Sequence, residues 1–80
     1  MRLDTLPLRE TALVTAVDWD SLSSDDAQRL KDAGIEAGVT VEATHFAPFS
    51  RDPIAFTIGA ETHALRRAHA AFVEVERLTR

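Results

Sequence analysis

The stretch Leu30-Lys31-Asp32-Ala33-Gly34-Ile35-Glu36-Ala37-Gly38-Val39-Thr40-Val41 decides the fold. It reads as the last turn of a helix, a glycine stop, a short turn and the start of a strand. A helix ending at Ala33 needs a following residue with φ > 0, and glycine enters that region without a Cβ clash. Ile35 is then placed to fold back over the helix end. Gly38 supplies a second turn. Val39, Thr40 and Val41 follow, and their β-branched side chains suit a pleated surface.

Working upstream, Ser23 or Ser24 can cap the helix, and Ser23-x-x-Asp26 resembles a capping box. Asp25 and Asp26 fall in the first turn and Lys31 in the last, as the helix dipole favours. Ala27, Leu30 and Ala33 or Gly34 share one face. The expected helix is therefore Asp25 to Ala33, held by docking Leu30 on a sheet. Before it, Glu10 to Asp18 reads as a half-buried strand with Trp19 at its end, at the rim of the core. Met1 to Leu8, interrupted by Pro7, reads as an edge strand or an extended lead-in.

Downstream, Val39 to Phe46 is a second strand, its alternation broken at His45, Phe46 and Ala47. Ala47 to Pro53 is a loop. Ile54 to Ile58 is a clean strand with Ile54, Phe56 and Ile58 facing in. Gly59-Ala60-Glu61 turns the chain back into a hairpin strand, Thr62 to Arg66. Arg67 to Ala71 is a short helical turn, Phe72 to Glu76 a last strand, and residues 77–80 are expected to fray. The fold class is mostly β: a small antiparallel barrel of about five strands with one short helix inserted after the first. Residues 1–80 form one domain. The expected core is Leu30, Ile35, Val41, Ile54, Phe56, Ile58, Leu65 and Val73.

A chain of 80 residues with 45% apolar content suits a small globular domain rather than a disordered one. At this size only roughly 60% of the unfolded surface is buried, so each large apolar side chain matters. The formal net charge of −4 opposes nucleic-acid binding and direct attachment to an anionic membrane surface. The chain has no cysteine, which leaves no disulfide or thiolate metal site and suits a cytoplasmic setting. No run is long and apolar enough to span a bilayer.

Four pieces then stand in order: Leu30-x-x-Ala33-Gly34-Ile35-x-x-Gly38-x-x-Val41, Ala47-Pro48, Asp52-Pro53-Ile54, and Ala64-Leu65-Arg66-Arg67-x-x-Ala70-x-x-Val73-x-Val75. Together they resemble the FeoA family, ferrous iron transport protein A and its single-domain relatives. The resemblance implies an SH3-like barrel with a helix between its first and second barrel strands. It also implies a small cytosolic accessory that binds or regulates the membrane ferrous-iron permease, whose cytosolic part is a GTP-binding domain. Three positions depart from the family's pattern. Arg9-Glu10 replaces a glycine common near the first strand, Arg51 replaces a glycine before Asp52-Pro53, and His69 stands where an acid is frequent.

No phosphate-cradling glycine loop or nucleophile setting marks an enzyme. The three histidines read first as separate surface residues. The alternative is a weak divalent site for Fe²⁺ or Zn²⁺ built from Glu61, His63 and His69, which would make the chain a metal-responsive sensor. Phe46 and Phe49 form an apolar loop that either closes one barrel end or contacts a partner. Arg66 and Arg67 are either solvated or a docking patch for an acidic partner surface. No cofactor is required by these patterns, and they leave the oligomeric state open.

Overall fold

The computed structural model of the chain describes residues 1–47 and 52–78. Its elements are a 3₁₀ turn at Leu3–Thr5, β1 (Thr11–Val17), a 3₁₀ turn at Trp19–Ser21, α1 (Ser24–Asp32), β2 (Thr40–Phe46), β3 (Ile54–Ile58), β4 (Glu61–Leu65), α2 (Arg67–Ala70) and β5 (Val73–Arg77). The strands form one antiparallel sheet in the order β4-β3-β2-β1-β5. The short helix α1 is inserted after the first strand, as expected. The end strands β4 and β5 are not paired with each other, so the barrel is left open along that line.

The helix and its stop follow from local chemistry. Ser23 Oγ accepts the Asp26 N–H at 3.1 Å, so the serine caps α1. At the other end Ile35 N–H donates to Leu30 O and Gly34 N–H to Lys31 O, both at 3.0 Å. This pair of reversed bonds is a Schellman closure, and it requires the φ of +87° that Gly34 adopts. Leu30 and Ile35 are both buried, so the apolar contact that accompanies such a closure docks the helix end on the sheet. Gly38, at φ +99°, donates to Val14 O at 2.8 Å and returns the chain beside β1.

The broken alternation at the end of β2 is a register shift between Ala43 and His45 against β3. A second shift interrupts β1 against β5 between Val14 and Ala16. Arg9 takes φ 68°, a glycine-like conformation, where the resemblance marks a missing glycine. Its N–H donates to Ala43 O at 2.6 Å, which ties the turn before β1 to β2.

All eight residues expected in the core are buried. Phe56 is the largest of them, and burying such a side chain contributes about 1.5–3 kcal/mol. The N-terminal segment bears out the expected edge pairing at Met1 and Arg2, which is extended and bridges Glu74 of β5, and departs from it in the 3₁₀ turn that follows. Leu3 and Leu6 are buried because a 3₁₀ turn, with about three residues per turn, brings residues three apart onto one side. Before that turn, Val75 N–H donates to Met1 O at 2.8 Å and the Met1 amine donates to Val75 O at 3.0 Å. The N-terminal segment therefore covers the outer edge of β5. Of the four residues expected to fray, Arg77 and Leu78 are held, and the last two lie outside the described residues. Arg77 lies in β5 and pairs with Glu10, and Leu78 N–H donates to Thr11 O at 2.9 Å.

Candidate functional site

Among the described residues one sheet edge is covered and the other is not. Among the described residues, no backbone group of β4 bonds to anything beyond β3. Along this strand Leu65, His63 and Glu61 share the inner face, opposite Ile54, Phe56 and Ile58 of β3. Leu65 is buried, His63 is 27% exposed at its side chain and Glu61 is 78% exposed. The apolar core thus runs out along β4, and its inner face opens to water near the hairpin turn.

The space left there is a seam between the C-terminal end of α1 and the β3–β4 hairpin. Toward the hairpin turn it is an open groove of about 610 Å³, floored by Ala33, Gly34, Val39, Ile58 and Gly59. Small residues keep it shallow. Asp32 and Glu61 line it as well, giving an apolar floor with acidic neighbours. Toward α2 it continues as a cleft of about 420 Å³ lined by Arg29, Asp32, His63, Leu65, Arg66 and His69. Asp32 is itself held by Gln28 Nε2 at 2.8 Å, one helical turn away.

The metal candidates are partly brought together. His63 Nε2 lies 3.3 Å from Glu61 Oε1, as their shared strand face requires. His69 lines the same cleft as His63, but its Nε2 faces Asp26 Oδ1 at 3.1 Å. Each imidazole therefore has its own carboxylate. Among the described residues no group of three or more histidine or acidic side chains converges as a metal site. The contact of His69 with Asp26 joins α2 to the first turn of α1, across a separation in sequence that spacing alone does not reveal.

The four residues read as a docking patch divide. Phe46 is half-buried against the core, and the Arg67 guanidinium sits 5.3 Å from its ring centroid. Arg67 also donates from Nη1 to Asp4 O at 2.8 Å. Its backbone N–H donates to Asp52 Oδ1 at 2.9 Å, so Asp52 caps α2 from a distant loop while the N-cap residue Arg66 supplies no side-chain bond. Phe46 and Arg67 thus join α2, β2 and the N-terminal turn. Arg66 points to the cleft instead and is exposed. Phe49 lies outside the described residues. Two features of the seam were not singled out in sequence, Arg29 and the free edge of β4. Both need the pairing order to become visible.

The model of the FeoA domain matches residues 1–77. The chain belongs to the FeoA family. Its strand order, with the helix between the first two strands, is the family's SH3-like fold. FeoA of Stenotrophomonas maltophilia, solved in complex with zinc, is 32% identical. It covers 95% of this chain and 89% of its own, with a TM-score of 0.79. That protein is described as a prokaryotic SH3 domain protein and a candidate activating factor of ferrous iron transport. FeoA of Chlorobium tepidum is 29% identical, over 99% of this chain and 71% of its own, with a TM-score of 0.84. A manganese-dependent transcriptional repressor shares the fold alone, at 18% identity, over 98% of this chain and 41% of its own, with a TM-score of 0.83. No curated protein matches the chain. The family links the chain to ferrous iron transport. No helix among the described residues is long and apolar enough to cross a membrane.

Proposed function

We propose that the chain is a cytoplasmic accessory module of ferrous iron uptake that acts by binding the membrane ferrous-iron permease at its GTP-binding domain. The observation that carries this reading is the seam, an open groove with an apolar floor beside the unpaired edge of β4. A sheet edge of this kind offers backbone hydrogen bonds to an extended segment, and the groove offers a pocket for its side chains. Family membership supplies the pathway. Co-purification from cells expressing both proteins tests it. The chain should retain the permease, and Ala60→Arg, which fills the groove from an exposed turn position, should release it. Association that survives Ala60→Arg, or no association of the parent chain, counts against the reading.

A second reading has one observation in its favour, the zinc complex of the Stenotrophomonas relative. Here His63 with Glu61, and His69 nearby, bind Fe²⁺ or Zn²⁺ weakly and make the chain a metal-responsive sensor. Calorimetric titration with Zn²⁺ decides it. Heat that disappears in His63→Ala and His69→Ala supports the sensor, and no heat removes it.

A further inference from the structure

The molecule is acidic, yet two arginines with no side-chain partner among the described residues flank one cleft. Most of its described cationic side chains are engaged. Arg2 pairs with Asp4, Arg77 with Glu10, Arg67 holds Asp4 O and Phe46, and Lys31 stands 5.2 Å from the Trp19 ring centroid. Arg29 and Arg66 make no side-chain hydrogen bond or ion pair among the described residues, and both line the cleft between α1 and β4. They stand on different walls, Arg29 on the helix and Arg66 at the end of the strand. Arg66 follows directly on β4 in extended backbone (φ −69°, ψ 145°), while its carbonyl accepts from His69 and Ala70 in α2.

We infer that this cleft takes an extended, carboxylate-rich segment of a protein partner, added along β4, with its acidic side chains reaching Arg29 and Arg66. This rests on the seam being the binding surface and adds the chemistry of what binds there. Arginine's planar fork matches a carboxylate in a bidentate way. A compact phosphate dianion fits less well. α1 presents its C-terminal, negative end to the cleft, and Asp32 lies on the same wall. Separate single charges along a strand can each meet an arginine without concentrating charge against that end.

The test is an amide NMR titration of the intact chain with an acetylated, amidated peptide of alternating Glu and Val. The Lys-for-Glu peptide and inorganic phosphate serve as comparisons. The acidic peptide should shift His63 to Arg66 and Arg29 to Ala33 saturably. Arg29→Ala and Arg66→Ala should each weaken it roughly tenfold, as loss of a charged hydrogen bond implies. Both variants change exposed side chains and should melt as the parent does. Equal binding of the Lys peptide, unaltered affinity in both variants, or displacement by phosphate at matched concentration would overturn the inference. If the permease domain binds at the seam while the acidic peptide does not, this inference fails and the functional reading stands. If the peptide binds and the permease domain does not, the reverse holds.

Discussion

Replacing Arg67 by alanine should destabilise the domain, while the same change at its neighbour Arg66 should not. The two are adjacent in sequence and opposite in role. Arg67→Ala deletes the bond from Nη1 to Asp4 O at 2.8 Å, in a half-buried position. A hydrogen bond from a charged donor of this kind is worth about 1.5–3 kcal/mol. It also uncovers the Phe46 ring, 5.3 Å from the guanidinium, for about 0.5–1 kcal/mol more. Since the two contacts share one side chain, the combined loss is about 2–3 kcal/mol. In a domain this size each kcal/mol moves the midpoint by roughly 4–8 °C, so the expected fall is roughly 8–24 °C. Arg66→Ala removes an exposed side chain and should stay within about 0.5 kcal/mol of the parent. Thermal unfolding by circular dichroism, with urea titration to check that the slope is unchanged, measures both. Equal effects of the two substitutions, or a loss below about 0.5 kcal/mol for Arg67→Ala, would refute the assignment of Arg67 to the internal clasp.

Asp52→Ala should cost about 1 kcal/mol, because it uncaps the first turn of α2; urea unfolding reads it. Ser23→Ala should cost a similar amount, about 1 kcal/mol, by uncapping α1, and amide exchange should rise first at Asp26. Gly34→Ala should cost about 1–2 kcal/mol from its φ of +87°, since the nearest atom to an added Cβ, Ile58 Cγ2 at 3.6 Å, is ordinary contact. Arg9→Gly should be neutral or stabilising by up to about 1 kcal/mol, because Arg9 holds φ 68°. A destabilised glycine variant would show that the Arg9 side chain contributes something its backbone does not explain.

Local chemistry was legible in the sequence, and long-range chemistry was not. Ser23, Gly34, Ile35 and Gly38 announced the helix and its stop because caps and closures are made within a few residues. Ile54 to Ile58 was legible because alternation is local too, and the break in it from His45 lies beside the register shift that the structure shows between Ala43 and His45. The N-terminal turn was misjudged because Pro7 dominated the reading, although Leu3 and Leu6 carried the three-residue spacing. The barrel's opening could not be read from strand count, because pairing between end strands depends on sheet curvature and coverage. Asp52 as a cap for α2, Arg67 on Phe46, and His69 on Asp26 each join segments far apart in the chain. No spacing rule reports them. Arg29 and Arg66 converge on one cleft only through the placement of α1 against β4.

The central claim is that the seam between α1 and the β3–β4 hairpin is where this FeoA-family chain meets its partner. The most direct measurement is an NMR titration of the labelled chain with the soluble GTP-binding domain of the permease. Perturbation should concentrate at Arg29 to Gly34 and Ile58 to Arg66, and Ala60→Arg should abolish it. Binding that instead perturbs the opposite side, around Ala16, Asp18 and Phe72, or a titration that leaves the seam unchanged, would contradict it.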